Sequence, residues 1–381
     1  MSAATIGKWL ARPLKAIAVA EVTELHASVG TTIGEVRPEN QDRGVVVRFT
    51  NAQRSQDSFV CAAICDGMGG MVDGARCAEI ALSTFVLRLT QRLNETTSEL
   101  IRLAALAANA EVYRQYRERG GTTLAALVAF PGSAAAVSVG DTRIYRFKDK
   151  KSVEQVSVDD TIAGELNKVR GLENSRSRWD PFADQLAQFI GIGEGIEPRL
   201  YPVDTKLRYL LTSDGAHKVS ADAFGHIASF AGSPQQMVSR LLQFSRWCGG
   251  VDNATAICLS PLEPDWVTAP AWSSGGWLEI WDTAGKLELP IERFPAQSAR
   301  QSDSPIRRDF PEPKSKRSRK RAPGASKKAA PTAGPTVSSP SAMQGSLKIE
   351  IVDEKPHNTE SDVNRDSAST ENTSGETKAG R

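Results

Sequence analysis

Cysteine is scarce in this sequence, and its spacing does not suit a metal site. The chain has 381 residues and five cysteines, and no two of them form a C-x-x-C pair. Their number is odd and four of them lie in apolar runs, so neither disulfides nor a zinc site is expected. We therefore predict reduced core thiols in a cytoplasmic protein, at Cys61, Cys65, Cys77, Cys248 and Cys258.

Long apolar runs and a strong net charge are lacking as well. Because no stretch of about eighteen apolar residues occurs, no membrane span is predicted. The formal net charge of +2 argues against a chain devoted as a whole to nucleic-acid binding. Residues 1–21 contain basic and apolar residues and are interrupted by Pro13. We interpret them as a docked or frayed leader segment rather than a membrane anchor.

Composition divides the rest of the chain into three parts. Residues 22–262 show apolar periodicity with short loops and are predicted to form the main globular domain. Residues 263–295 hold four of the seven tryptophans, and "WLEIW" and "KLELPI" alternate with period two around "DTAG", which predicts a β-hairpin. Residues 296–381 are rich in Pro, Ser, Ala, Lys and Thr, and we predict a disordered tail because they cannot bury enough apolar surface.

The tail carries a basic block at 307–328, "RRDFPEPKSKRSRKRAPGASKK". Such a block is either a solvated, self-repelling linker or a contact for an acidic partner or nucleic acid. Further on, the alternating stretch "SLKIEIVDE" either adds a strand to the sheet of a partner or reflects chance β-propensity.

The globular part alternates between predicted strands and helices. The strand "FVCAAICDG" precedes two amphipathic helices, "GARCAEIALSTFVLRLTQRL" and "SELIRLAALAANAEVYRQYRER". Two further strands follow, "TTLAALVAF" and "AAAVSVGDTRIYRF", joined at "PGS". An α+β fold is therefore predicted.

Four aspartates stand at the ends of predicted strands, each beside a small or turn-forming residue: Asp66, Asp141, Asp214 and Asp252. A single Asp next to Gly is ordinary turn chemistry. Four converging carboxylates would repel each other unless cations lay between them, and oxygen ligands of this kind suit Mg²⁺ or Mn²⁺. The loop "GMGG" after Asp66 has neither of the glycine spacings that cradle nucleotide phosphates.

Seven motifs together span the predicted globular domain: "VRPENQDRG" at 36–44, "CDGMGG" at 65–70, "GGTTLAAL" at 120–127, "VGDTRIYRF" at 139–147, "QFIGIGEGIEPRL" at 188–200, "LLTSDGAHKVS" at 210–220 and "DNATAICL" at 252–259. They occur in the order found in the PPM-type (type 2C) metal-dependent serine/threonine protein phosphatases of bacteria, and the chain resembles that family. The resemblance implies two antiparallel β-sheets packed as a sandwich and flanked by α-helices. It also implies that 22–262 is the catalytic domain.

The resemblance further implies a metal centre. In this sequence Asp66 matches the ligand that bridges two ions, and the backbone carbonyl of Gly67 matches a ligand of the second ion. Asp214 and Asp252 match ligands of the first ion. Asp141, with Asp214, matches the residues that hold a third, weaker ion in bacterial members.

Two more residues gain roles from the resemblance. Asp42 falls where family members supply a carboxylate near the second ion. Arg37 matches the arginine that grips the substrate phosphate, and its planar, always charged guanidinium suits a phosphate group. The alternative for Arg37 is an ordinary surface salt bridge.

The sequence also departs from the family pattern. Gln41 stands where many members have Glu, which predicts weaker binding of the second ion. Met68 and Met71 occupy positions where relatives carry a histidine that protonates the leaving group. His217 follows Asp214 by three residues and lies either near the ions or, as we expect, in a surface turn.

The leading hypothesis is a protein phosphatase that hydrolyses phosphoserine and phosphothreonine through a water activated by two Mg²⁺ or Mn²⁺ ions, with a possible third ion. The alternative is a catalytically weak module that binds phosphoproteins. Either function implies phosphoprotein partners and a cognate kinase, and we expect a cytoplasmic monomer. Residues 157–187 are predicted to form a flap beside the site, with "ENSRSRWDP" as a substrate contact.

Overall fold

The computed structural model of the chain describes residues 2–148, 153–162, 185–219, 221–262, 266 and 275–291. The tail at 296–381, most of the flap at 157–187 and most of 263–274 lie outside the described residues. Six helices are described: α1 Ala3–Leu10, α2 Gly74–Leu89, α3 Thr97–Tyr116, α4 Asp214–His217, α5 Ala221–Phe230 and α6 Pro234–Trp247. The described strands are β1 Ile17–Val22, β2 Ala27–Thr32, β3 Arg43–Asn51, β4 Phe59–Cys65, β5 Leu124–Phe130, β6 Ser133–Val139, β7 Arg143–Phe147, β8 Val153–Gln155, β9 Arg199–Pro202, β10 Arg208–Thr212, β11 Ala254–Leu259, β12 Gly276–Asp282 and β13 Gly285–Ile291.

These strands form two antiparallel sheets, as predicted. The first sheet has the order β1-β2-β11-β10-β7-β8, and the second has the order β13-β12-β3-β4-β5-β6-β9. Every pairing between neighbouring strands is antiparallel. The α+β class and the two-sheet sandwich are thus confirmed.

The sandwich has helices on both outer faces because its central strands are apolar on both sides. In β4 every residue is buried, and successive side chains point to opposite faces of the sheet. Phe59 and Cys61 join the cluster that packs against α1, α2 and α3, whereas Val60 and Ile64 join the cluster between the sheets. A third cluster packs α5 and α6 against the outer face of the first sheet.

The N-terminal segment is part of this fold. Helix α1 buries Ile6 and Leu10 in the cluster beneath α2 and α3. Strand β1 begins at Ile17 and pairs with β2 along its whole length. Of the two predicted states of the leader, docked and frayed, the structure shows the docked one. The domain boundaries stay predictions.

The stretch predicted as a single strand at 134–147 forms two strands in different sheets. Strand β6 ends at Val139 in the second sheet, and β7 begins at Arg143 in the first. The chain turns between the sheets at Gly140, whose φ of +98° lies in the left-handed region that glycine tolerates. The prediction of one strand was wrong because apolar alternation is the same on both sides of this turn, and Asp141 lies in the crossing.

The predicted hairpin is confirmed, and it extends the second sheet. Strands β12 and β13 pair from Gly276 to Asp282, and β12 also pairs with β3.

Four cysteines are buried and Cys248 is exposed, with no disulfide among them, so the prediction of reduced core thiols holds for four of the five. Within the described part of the chain, no helix has the length and apolarity needed to cross a bilayer.

Candidate active site

The strand order brings five aspartates to one end of the sandwich. Arg43 at the start of β3 pairs with Cys65 at the end of β4, so Asp42 and Asp66 are neighbours in space. In the other sheet, Thr212 pairs with both Ala256 and Arg143, which brings the ends that carry Asp214, Asp252 and Asp141 together. The negative charges of all four other aspartates act on Asp66 and raise its pKa.

The backbone of Asp66 is fixed on both sides. Its N–H donates to Oγ1 of Thr123 (3.0 Å), and its carbonyl accepts from Oγ1 of Thr122 (2.7 Å) and from the N–H of Thr123 (2.9 Å). Burial raises the pKa of Asp66 well above its ordinary value, and the surrounding carboxylates add to this effect. A carboxyl in this position favours a nearby cation strongly when it ionises.

Asp42 is the most deeply buried of the five aspartates, with an exposed fraction of 1%. Its Oδ2 accepts from the hydroxyl of Ser213 (2.7 Å), but its Oδ1 is buried without a hydrogen-bond partner. Burial raises the pKa of Asp42 to about 7, against the opposing effect of the Ser213 hydrogen bond. A buried oxygen without a partner is costly, and a cation would satisfy it.

Arg37 lies at the exposed side of this cluster. Its Nη2 is 2.7 Å from Oδ2 of Asp252, and this hydrogen bond raises the pKa of Arg37. Asp214 and Asp66 are also close enough for their charges to act on it. The structure therefore brings Arg37 to the aspartates, where it forms an ion pair with one of them.

Lys218 is a second cationic side chain in the cluster. Its Nζ lies 2.9 Å from Oδ2 of Asp141 and 2.9 Å from Oδ2 of Asp214. Burial opposes the charged form, but the two carboxylates outweigh it and raise the pKa of Lys218. For Asp141, burial raises the pKa and the charge of Lys218 lowers it, with a net rise.

The carboxylate oxygens of the cluster are donors of the kind that hard divalent ions prefer. As the side chains stand in the described residues, no group of three or more His, Cys, Asp and Glu forms a ready-made metal site. Arg37 and Lys218 are the protein cations found among the carboxylates instead. The unpartnered oxygen of Asp42 and the mutual repulsion around Asp66 show that these two charges do not complete the cluster.

The glycines beside Asp66 permit close approach of backbone segments. A Cβ on Gly67 would lie 2.4 Å from the carbonyl carbon and oxygen of Gly74, and a Cβ on Gly69 would lie 2.5 Å from Nη1 of Arg37. The N–H of Gly67 also donates to the carbonyl of Gln41 (3.3 Å). Gly67 is therefore positioned by contacts that any side chain at this residue would disturb.

The described geometry is matched by a known family. Residues 38–241, more than half of the chain, match the family model of protein phosphatase 2C. The chain belongs to the protein phosphatase 2C family. By family it is an enzyme, a protein serine/threonine phosphatase, which confirms the resemblance stated above. No curated protein sequence matches the chain.

Solved structures of bacterial phosphatases are similar to this protein phosphatase 2C chain. The PPM Ser-Thr phosphatase MsPP from Mycobacterium smegmatis, in complex with cacodylate, is 28% identical with a TM-score of 0.52, over 63% of this chain and 99% of that one. Stp1 from Staphylococcus aureus is 22% identical with a TM-score of 0.54, over 63% and 97%. The catalytic domain of PstP, in complex with two manganese ions, is 22% identical with a TM-score of 0.50, over 65% and 100%.

Other residues predicted near the site of this phosphatase have structural partners. The side chain of Gln41 donates from Nε2 to Oε1 of Glu39 (2.6 Å). His217 is buried, with Nδ1 2.9 Å from Oγ1 of Thr212, so the prediction of a surface turn was wrong. The cause is that α4 turns the ring inwards, towards Tyr145.

Two residues that organise this site were not predicted from the sequence. Lys218 follows Asp214 by four residues, a spacing that places side chains on one face of a helix, and that signal was available. Asn253 donates from Nδ2 to the carbonyls of Ile33 (2.9 Å) and Glu39 (3.0 Å), and its Oδ1 accepts from the N–H of Gln41. It thereby fixes the loop that carries Arg37 against β11.

Proposed function

We propose that this protein phosphatase 2C chain is an active enzyme that hydrolyses phosphoserine and phosphothreonine esters in proteins. The observation that carries the proposal is the convergence of five aspartates and Arg37 at one end of the sandwich. The family match over residues 38–241 and the 28% identity to MsPP support it.

We propose Asp66, Asp214 and Asp252 as the main ligands of two divalent ions, with Asp42 and the carbonyl of Gly67 beside the second ion. When bound, Mg²⁺ or Mn²⁺ ions supply a water of lowered pKa and neutralise phosphate oxygens. Oxygen donors of this kind suit both ions. Manganese is the ion in the solved PstP catalytic domain, so it is the first choice for assays.

Arg37 exchanges partners during substrate binding in this proposal. Its guanidinium contacts Asp252 in the structure, and its side chain is 39% exposed. A phosphate group offers the guanidinium a stronger, two-pronged partner than a single carboxylate oxygen. Once Arg37 has moved to the phosphate, Oδ2 of Asp252 would be available to hold an ion.

The reaction itself breaks the ester P–O bond. A water oxygen attacks phosphorus in line, and the products are inorganic phosphate and the free hydroxyl of the protein substrate. The leaving oxygen takes its proton from solvent, because Met68 and Met71 stand at the loop positions from which a histidine could donate. Substrates with poor leaving groups are therefore expected to react slowly.

The test is hydrolysis of p-nitrophenyl phosphate and of a phosphothreonine peptide by the full chain, with Mn²⁺, with Mg²⁺ and with a chelator. We expect metal-dependent turnover that Asp66→Asn abolishes, because the substitution removes a charged ligand at the centre of the cluster. Asp73→Asn is the matched control, since Asp73 is exposed on the same loop and its left-handed φ of 51° suits asparagine.

Folded protein without turnover under any divalent ion would contradict the proposal. Affinity for the phosphopeptide without turnover would instead point to the phosphoprotein-binding module, which nothing in the comparisons favours. Phosphoprotein partners follow from the family. The cognate kinase, the monomeric state, the cytoplasmic location and a nucleic-acid or acidic partner for the basic block stay predictions.

A further inference from the structure

Asp141 and Asp214 already share a cation that belongs to the chain. Nζ of Lys218 is 2.9 Å from one oxygen of each carboxylate. The resemblance assigned a third, weaker ion to this pair of aspartates. An ammonium group at hydrogen-bond distance from both carboxylates lies where an ion that bridges them would have to lie, so the residues present do not fit a third ion.

The fold holds both sides of this contact. The N–H of Lys218 donates to the carbonyl of Asp214 (2.8 Å) at the end of α4. Across from it, the N–H of Gly140 donates to Oδ2 of Asp160 (3.1 Å), and the carbonyl of Gly140 accepts from the N–H of Asp160 (2.9 Å). The backbones of Lys218 and of Gly140, the residue before Asp141, are therefore each held by hydrogen bonds.

The buried carboxylate of Asp141 needs Lys218 as its partner. The side chain of Asp141 is 8% exposed, and a carboxylate this buried needs a charged or hydrogen-bonding partner. Lys218 supplies that partner. Asp42 differs, because one of its buried oxygens has no hydrogen-bond partner. Among the described residues no cationic side chain forms an ion pair with the carboxylate of Asp42, whereas Lys218 pairs with that of Asp141.

The charge balance points the same way. The two cationic side chains offset part of the charge of the five aspartates and leave a formal excess of about three negative charges when all are ionised. Two divalent ions are enough to cancel that excess. A third would sit directly beside Lys218 and be repelled by it, because like charges a few ångströms apart oppose each other.

We propose that Lys218 replaces a third divalent ion, so that this chain binds two ions where the resemblance implies three. The inference rests on the proposed function for the first two ions. The consequence specific to Lys218 is a difference in ion count between variants, and that difference is measured whether or not the enzyme turns over.

The test counts Mn²⁺ bound to the full chain by equilibrium dialysis and elemental analysis over a range of free Mn²⁺. We expect Lys218→Met, which keeps an unbranched side chain one atom shorter than lysine and removes its charge, to bind one more ion than the wild type. Lys206→Met is the matched control, because Lys206 is exposed and lies outside the cluster, and it should keep the wild-type count. Asp141→Asn combined with Lys218→Met should lose the additional ion again.

Equal counts for the wild type and Lys218→Met, or three ions on the wild type, would overturn the inference. A wild type that binds no ions would overturn both the two-ion count and the proposed function, and a gain of one ion in Lys218→Met would then support only the statement that Lys218 stands in place of an ion between Asp141 and Asp214. Should Lys218→Met not fold, the number of Mn²⁺ ions bound by Asp141→Asn decides. We expect it to equal that of the wild type. A lower number would mean that Asp141 ligates an ion and would overturn the inference.

Discussion

The backbone of Asp66 determines where its carboxylate lies. Hydrogen bonds to Thr122 and Thr123 hold the residue at the end of β4. The next residue, Gly67, packs closely against the backbone carbonyl of Gly74. The side chain is thereby placed among like charges by contacts that do not depend on its own chemistry. Substitutions of the residues that hold the backbone of Asp66 should therefore disturb the site as much as substitutions of the carboxylates themselves.

Gly67→Ala tests that statement. The added Cβ would lie 2.4 Å from the backbone carbonyl of Gly74. We expect a loss of about 1–3 kcal/mol in the free energy of unfolding, as for other overpacked sites, together with weaker Mn²⁺ binding. Gly70→Ala is the control, because a Cβ there meets no atom within 4 Å. Thermal unfolding and Mn²⁺ titration check both variants, and identical behaviour of the pair would refute the argument.

Arg37 offers a prediction about the substrate. Hydrogen bonds to charged groups contribute about 1.5–3 kcal/mol, so Arg37→Ala should lower kcat/KM for a phosphothreonine peptide by about 10- to 100-fold. Arg37→Lys should have a kcat/KM between those of the wild type and Arg37→Ala, because an ammonium keeps the charge but lacks the planar fork of a guanidinium. Arg114→Ala, on the exposed side of α3, serves as the control. Unchanged steady-state kinetics in Arg37→Ala would mean that this residue is only the partner of Asp252.

At the scale of elements, the hairpin of β12 and β13 completes the second sheet. Leu278 and Ile280 join the cluster beneath the helices, and Trp281 joins the cluster between the sheets. Glu279 is buried and accepts from Nε of Arg48 (2.5 Å) and from Nζ of Lys286 (2.7 Å). The hairpin thus has apolar and charged contacts with the strand beside it.

Ile280→Ala should therefore destabilise the whole sheet. The side chain is fully buried, and truncation of such residues costs about 2–5 kcal/mol. Glu288→Ala, exposed on the same hairpin, should change the free energy of unfolding by no more than about 0.5 kcal/mol. Urea unfolding measures both. Should Ile280→Ala leave the stability unchanged, the hairpin would not be part of the folded sheet in solution.

The connection between α2 and α3 gives a prediction about pH. Burial opposes the charge of Glu95, but hydrogen bonds from Arg88 and from the N–H of Leu93 outweigh it and lower its pKa from 4.5 to about 2. Because the folded pKa lies below the unfolded one, the stabilisation is present above about pH 4.5 and is lost as the pH falls towards 2. We expect Glu95→Gln to be less stable than the wild type at pH 7.

Urea unfolding between pH 7 and pH 2 measures the difference between Glu95→Gln and the wild type. The difference should shrink below pH 4.5 as the carboxyl of the wild type becomes protonated. Glu118→Gln, at an exposed residue just after α3, is the control. A difference that does not depend on pH would assign the effect to side-chain shape rather than to charge.

Helices and strands could be predicted from the sequence where apolar residues recur with one period along the whole element. The helices α2 and α3 and the hairpin around "DTAG" were found in this way, because 3.6-residue and two-residue periods are local signals. The turn at Gly140 between the sheets was missed, since the alternation continues through it. The pairing of β12 with β3 could not be predicted, because residues such as Ile280 and Val47 meet only in the folded chain.

At the scale of the whole molecule, the site exists because antiparallel strands return to the same end of the sandwich. Asp42 precedes β3, Asp66 follows β4 and Asp252 lies just before β11, so residues far apart in the chain meet at one edge. The spacing of these aspartates does not reveal that meeting, and the family resemblance supplied it. The spacing of four residues places Lys218 beside Asp214 on α4, but the contact of Lys218 with Asp141 forms only in the folded chain.

The same architecture predicts which parts of the chain the catalytic unit needs. All described core clusters lie between Ile6 and Ile291, within the compact unit Met1–Ser304. A chain that ends at Ser304 should keep the melting temperature and the Mn²⁺-dependent turnover of the full chain. A chain that ends at Leu262 should melt at a lower temperature, because it loses Leu278 and Ile280 and uncovers β3 as an edge strand.

Differential scanning calorimetry and hydrolysis of p-nitrophenyl phosphate on the three chains decide between these outcomes. The chain that ends at Ser304 is the control for removal of the tail, so any further loss at Leu262 belongs to the hairpin and the residues just beyond it. Loss of turnover already at Ser304 would show that the tail contributes to catalysis. Equal melting temperatures for all three chains would show that β3 does not need β12, because an uncovered edge that costs nothing cannot be part of the stabilising core.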